Sequence, residues 1–227
     1  MSVTILPNVN STLYLDIPAI VSYVDWFTIA AFDQQTPERN KDEADFPAPL
    51  YKLSDRNPEL NVDYQVTDLL GRTVPGSKIV IGIPTYGRVW QLEEGKTSTG
   101  VPPVEANGAA AAGLQSKKEG LLSYPEICAK LPNPSNKDMK GENAPIRKVG
   151  DPTKRYGTYA YRVPDSDGKN GLWIGYEDPD TAGNKAAYVR AKNLGGVAIF
   201  DMSHDDFRGS CSPEKFPILR SAHARLV

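Results

Sequence analysis

Three short runs in this 227-residue chain are so apolar that each must lie inside a folded core, and they constrain the fold more than anything else in it. The first is Val24-Asp25-Trp26-Phe27-Thr28-Ile29-Ala30-Ala31-Phe32-Asp33. The second is Lys78-Ile79-Val80-Ile81-Gly82-Ile83-Pro84-Thr85, which finishes on Tyr86-Gly87-Arg88, and the third is Gly195-Gly196-Val197-Ala198-Ile199-Phe200-Asp201. Each carries the β-branched and aromatic signature of a buried strand and finishes on an aromatic or charged residue. In a parallel α/β barrel the C-terminal ends of the strands are where substrate is held. Three strand ends that each present a ring beside a charge imply a cleft shaped for a sugar ring.

The rest of the chain arranges itself around these runs. Val3-Thr4-Ile5-Leu6-Pro7 reads as a further strand, followed by a short helix over residues 17–24 with Asp16 as its cap and Pro18 in its first turn. The strand at 26–32 leads into a long irregular stretch, 34–60, carrying Pro37, Pro47, Pro49 and Pro58. A loop of that length is either a solvated surface segment or a functional rim, and both readings stand. Asn61 caps a helix whose apolar residues Val62, Val66, Leu69 and Leu70 share one face. After the strand at 78–84 the periodicity breaks. Residues 89–176 mix Gly-, Pro- and Ala-rich turns with short strands near 157–161 and 172–175 and a helix at 123–130. A helix over 181–194, with Asp178-Pro179 at its start, ends on Gly195-Gly196 as a C-terminal cap. A final strand and helix follow.

The formal net charge of −2 gives no electrostatic reason to expect nucleic acid or an anionic membrane as partner. No apolar segment has membrane-spanning length, so no membrane insertion is expected, and Met1 opens no leader peptide. His204 and His223 are the only histidines. Without a second nearby histidine or an HExxH string, neither a metal nor another cofactor is expected. Ser203, His204 and Asp205 would make a triad on paper, but adjacent residues at a strand end point apart. Asn10-Ser11-Thr12 is a glycosylation sequon placed just past a strand, where a loop is expected.

The seven residues from Gly82 to Arg88 resemble the seventh-strand motif of family 18 glycoside hydrolases, the chitinases and chitinase-like lectins. Ala30-Ala31-Phe32-Asp33 falls where those proteins carry Met-x-Tyr-Asp, and Gly195-Gly196-Val197-Ala198-Ile199-Phe200 where they carry Gly-Gly-x-x-x-Trp. Closer still, "AAFDQQTPERN", the run Gly150-Asp151-Pro152-Thr153-Lys154-Arg155, "NKAAY" and "DDFRG" are similar to the insect imaginal disc growth factors, a secreted, non-catalytic branch.

The resemblance implies an α/β fold: the C-terminal half of a (β/α)8 TIM barrel, strands five to eight, with an α+β insertion domain. Residues 1–88 would hold strands five to seven with their helices, 89–176 the insertion, and 177–227 the last barrel helix, strand eight and a terminal helix. A full barrel takes about 250 residues, so this chain is expected to be a fragment, or a short form needing a partner, with two open sheet edges. The resemblance also implies an extracellular location, a growth-promoting or cuticle-associated role, and a chitin-type oligosaccharide and a cell-surface receptor as partners. Cys128 and Cys211, taken alone, could be two unrelated buried thiols. In the growth-factor-like branch, cysteines at matching positions form a disulfide that ties the insertion to the barrel end.

Catalysis in this family needs a fourth-strand Asp-x-x-Asp-x-Asp-x-Glu motif, in which the Glu protonates the glycosidic oxygen and an Asp orients the attacking acetamide. No such string occurs in the 227 residues. The nearest look-alike, Asp178-Pro179-Asp180-Thr181-Ala182, has Ala where the acid would stand. The chain by itself is therefore expected not to hydrolyse chitin, although the C-terminal half of an active chitinase, with its catalytic strand upstream, would look similar. The candidate cleft comprises Phe32, Asp33, Tyr86, Arg88 and Phe200. Asp33 would bond the sugar or its acetamide, or merely cap a turn. Tyr86 and Arg88 would line the cleft, or pack in the core and pair with a carboxylate. Phe32 stands where active members carry Tyr, Phe200 where they carry the Trp beneath the sugar, and Ala30 where they carry Met. These departures imply an eroded site, adapted to weak binding.

Overall fold

The computed structural model describes residues 1–7, 9–92 and 100–227. β1 (Ser2–Ile5) leads to α1 (Ile17–Ile20), which begins where the Asp16 carboxylate accepts the Ala19 amide. β2 (Trp26–Ile29) pairs in parallel with β1, Thr28 beside Thr4. It stops three residues short of the expected end, because the chain turns at Asp33, which adopts φ 57°. Gln34 then donates its amide to the Pro47 carbonyl. Residues 34–60 contain one short strand, β3 (Glu43–Ala44). The stretch divides: residues 44–50, with Phe46, Ala48 and Leu50, are buried in the core, whereas residues 38–42 and most of 51–60 face solvent.

Asn61 accepts the Tyr64 amide and starts α2 (Val62–Gly71). Val62, Val66 and Leu69 face inward, whereas Leu70 is 40 % exposed, one step of about 100° round the helix from the buried stripe. β4 (Ile79–Pro84) pairs in parallel with β2. Tyr86-Gly87-Arg88 does not finish this strand but opens the next, β5 (Tyr86–Leu92). β6 (Val104–Glu105) pairs with β3, and β7 (Leu121–Ser123) lies beside β5. α3 (Tyr124–Lys130) starts at a Ser123–Glu126 capping box. β8 (Arg147–Val149), β9 (Thr158–Arg162) and β10 (Gly171–Tyr176) complete an antiparallel sheet in the order β7-β5-β10-β9-β8. Its centre is aromatic. Trp90 and Trp173 are fully buried with ring centroids 5.6 Å apart, and each indole N–H reaches a carbonyl, Asn40 at 2.8 Å and Gly100 at 2.9 Å.

α4 (Pro179–Ala191) begins at Asp178, whose carboxylate accepts the Thr181 amide, as the Asp-Pro pair implies. It ends earlier than expected, on Asn193 in the left-handed conformation (φ 52°) rather than on a glycine. Gly195 serves another purpose, since a Cβ there would meet the Ser77 carbonyl oxygen at 2.4 Å. β11 (Gly196–Phe200) pairs with β4, and α5 (Pro217–Leu226) packs on α4 through Ala182, Ala186, Ile218 and Ala222.

Among the described residues the parallel strands run in the order β1-β2-β4-β11, with β1 and β11 at the two ends. One face of this sheet, formed by Ile5, Phe27, Ile29, Ile79 and Ile81, is sealed by α1, α2 and α4. Side chains alternate along a strand, so Thr4, Thr28 and Val80, which lie in register, share the opposite face. None of those three is buried, and Trp26 and Phe200 on the same face are about half exposed.

Candidate functional site

The C-terminal ends of β2, β4 and β11 converge on one place. Beyond β2 the Phe32 ring swings against β4, where Gly82 leaves room for it: a Cβ there would stand 2.6 Å from the ring. Phe200, at the end of β11, stacks on Phe32 with centroids 5.2 Å apart and 18° between planes, yet remains 53 % exposed. Tyr86 meets Phe32 edge-on at 6.2 Å. Ala30, Ala48 and Leu121 pack against this pair from the protein side.

Asp33 is the polar centre. Arg88 grips its carboxylate with two parallel bonds, Nε to Oδ1 at 2.7 Å and Nη2 to Oδ2 at 2.6 Å, and the Tyr86 hydroxyl donates to Oδ2 at 2.9 Å. Arg39 donates to the Asp33 carbonyl. Glu38 lies 3.5 Å from Arg88 and 3.4 Å from Lys118, extending a line of alternating charge to the surface. Burial, and after it the charge of Asp33, pushes the Tyr86 phenol far above its ordinary range, so its hydroxyl stays a donor. Burial opposes the Arg88 cation, but the bonds and charge of Asp33 outweigh it and raise its pKa. Burial likewise opposes the Glu38 carboxylate, and hydrogen bonds from its own backbone and Thr36, with the nearby Arg88 and Lys118, lower its pKa on balance.

All five candidate residues therefore come together, with Phe32, Tyr86 and Arg88 buried, Arg88 paired with Asp33 as the alternative reading had it, and Phe200 half exposed. Asp33 turns the chain, with φ 57°, and its carboxylate is bonded by Arg88 and Tyr86. That carboxylate holds three side-chain donors, so its evident work in the free protein is to fix Tyr86 and Arg88. The surface left open is the Phe200 ring beside this fixed polar group. An apolar ring face next to oriented donors and acceptors suits a ligand with one C–H face and several hydroxyls.

Several contributors escaped sequence reading. His204 lies edge-on to Tyr86 at 5.9 Å, with Nδ1 3.4 Å from Asp201, and its place just past β11 was the available signal. Thr85 donates its hydroxyl to the Asp201 carbonyl and ties the ends of β4 and β11 together. Ala48 and Glu38, both from the long loop, carried no signal. Ser203, His204 and Asp205 do point apart. Ser203 bonds Asp201, whereas Asp205 accepts the Leu219 amide at 3.1 Å at the start of α5.

Cys128 and Cys211 lie beside each other but are free thiols, so the expected disulfide is not formed in this structure. The two sulfurs are in contact. That contact, with burial adding to it, raises the Cys211 pKa, and it lowers the Cys128 pKa against the opposing effect of burial. Asn10 is exposed and stands apart from the cleft residues, its Oδ1 accepting both the Thr12 amide and the Thr12 hydroxyl. Among the described residues no group of three or more His, Cys, Asp or Glu could hold a metal ion. No helix among them is long and apolar enough to cross a membrane.

The family described as "Glycosyl hydrolases family 18" matches residues 1–205. The chain is 59 % identical over 222 residues to chitinase-like protein Idgf4 of Glossina morsitans morsitans, covering 97 % of this chain and 50 % of that protein. It thus spans about half the length of the curated relatives it matches. Among solved structures, catalytic domain 2 of the Ostrinia furnacalis Group II chitinase superposes with a TM-score of 0.83 at 24 % identity. That match covers 99 % of this chain and 54 % of the other, and it bears on the fold alone. Human YKL-39, described as a pseudo-chitinase with retained chitooligosaccharide binding properties, gives a TM-score of 0.76 at 26 % identity. It covers 93 % of this chain and 53 % of its own.

Proposed function

Since the chain belongs to glycosyl hydrolase family 18, we propose that it is a non-catalytic, chitinase-like protein of the imaginal disc growth factor type whose cleft binds chitin-type oligosaccharides weakly. The observation that carries this reading is the half-exposed Phe200 ring stacked on Phe32, beside an Asp33 carboxylate held by Tyr86 and Arg88. The pseudo-chitinase neighbour, which keeps chitooligosaccharide binding, supports it. The four parallel strands are read as strands five to eight of the family's barrel, and residues 89–176 as the α+β unit inserted before the last of them. Secretion, an extracellular growth-promoting or cuticle-associated role, a cell-surface receptor, a glycan on Asn10 and a Cys128–Cys211 bond complete the proposal.

The absence of hydrolysis rests on chemistry. The cleft holds Phe at position 32, where active members carry Tyr, which removes a hydrogen bond worth about 0.5–1.5 kcal/mol. The rival reading, the C-terminal half of an active chitinase, is favoured by the intact Asp33, Tyr86 and Arg88 and opposed by Ala30, Phe32 and Phe200. The double substitution Phe32→Tyr with Phe200→Trp tests the cleft. Tighter binding of chitohexaose is expected, and unchanged binding would move the interaction to another surface.

A further inference from the structure

Lys185 lies on α4 with 2 % of its surface exposed, among the buried neighbours Ala182, Ala186 and Val189. Its ammonium donates to Glu177 Oε1 at 2.5 Å and to the Ala48 carbonyl at 2.7 Å. Glu177 follows β10 and is equally buried, and its second oxygen, Oε2, has no hydrogen-bond partner. Two desolvated charges are a poor source of stability, because an apolar pair in their place is often neutral or stabilising. The use of this pair is found in what it holds.

Ala48 packs with Ala30, Phe32 and Tyr86. The residue before it, Pro47, accepts the amide of Gln34 at 2.9 Å, one position after Asp33. The residue after it, Pro49, accepts the amide of Val62 at 3.0 Å, where α2 begins. A buried carbonyl needs a donor, and Lys185 supplies it at the midpoint of this segment. One hydrogen bond from α4 therefore sets the depth of the wall behind Phe32 and the path by which the chain leaves Asp33.

We propose that Lys185, oriented by Glu177, is a positioning residue for the cleft: it holds the Ala48 wall so that Phe32 lies flat against Phe200 and Asp33 stays within reach of Tyr86 and Arg88. The inference rests on the cleft reading above, because it assigns a binding consequence to a pair that touches no ligand.

The test uses the full chain and three variants: Lys185→Met, Glu177→Gln, and the two combined. Each is read by thermal melting, by calorimetry with chitohexaose, and by hydrogen exchange at the Gln34 and Val62 amides. Lys185→Met strands a buried carboxylate and should lower Tm by roughly 6–20 °C. Glu177→Gln keeps an acceptor for Lys185, and should leave the exchange and the affinity near wild type. The double variant removes the stranded charge and should regain most of the Tm. It should still bind chitohexaose about tenfold more weakly and exchange faster at Gln34, because the Ala48 carbonyl has lost its donor. A double variant with wild-type Tm, affinity and Gln34 exchange would overturn the proposal and leave a purely structural ion pair. Should the wild-type chain fail to bind chitohexaose, the cleft reading falls. Gln34 exchange in the double variant then decides by itself whether Lys185 positions the wall.

Discussion

The two main sheets solve the burial problem differently. The antiparallel sheet closes its own core, with Trp90 and Trp173 fully buried and Phe46 and Tyr159 packed on Trp173 at 6.2 and 5.6 Å. The parallel sheet is sealed on one face by helices, while Thr4, Thr28, Val80 and Phe200 on the other remain partly or largely exposed. Parallel sheets ordinarily have both faces covered. An exposed side chain on the open face therefore carries little information alone. Phe200 differs because it is stacked on Phe32 next to a fully bonded carboxylate, the combination on which the proposed cleft rests.

The comparison can be broken first in the closed core. Trp173→Ala should destabilise the chain by about 3–5 kcal/mol, whereas Val80→Ala on the open face should cost under about 1.5 kcal/mol. Equal losses in urea melts would erase the distinction between the sheets. Next in size is the thiol pair. Oxidising Cys128 and Cys211 should stabilise the chain by about 2–4 kcal/mol and remove two alkylatable thiols. If melts with and without reductant coincide although the bond has formed, the link would be strained and the proposed role lost.

A smaller effect involves Asp178 and depends on pH. Burial opposes its carboxylate, but Lys148 and the donors of Thr181 and Thr158 hold its pKa below the ordinary value. A lowered folded pKa contributes stability above the unfolded value of about 3.9, and that stability is lost as pH falls through the folded value. Acid should therefore destabilise the wild-type chain below about pH 4, and the loss should be shallower in Asp178→Asn. Identical acid profiles would show that other carboxylates dominate. Smallest in stability is Phe200→Ala, expected to change folding by under about 1 kcal/mol while weakening chitohexaose binding. A large loss of stability with unchanged binding would reassign Phe200 to the fold.

Much of this was legible in sequence because it is local. The Asp16, Asn61 and Asp178 caps follow from spacing, whereas the Phe32, Asp33, Tyr86, Arg88 and Phe200 set comes from the family resemblance, since Tyr86 and Arg88 open β5 rather than end a strand. The failures are tertiary. Residues 45–50 show no periodicity, and they are buried because Lys185, Trp173 and the start of α2 converge on them from distant parts of the chain. The line from Arg88 through Glu38 to Lys118 joins a strand to two loops that no local pattern connects. Leu70 and Gly195 were misassigned by a single helical step and by a close backbone approach.

The most direct test of the account is calorimetric titration of the full chain with chitohexaose, with the oligosaccharide recovered and sized afterwards. The account predicts saturable, weak binding and an intact hexamer. Shorter products would contradict the absence of catalysis, and no heat at millimolar ligand would contradict the cleft itself.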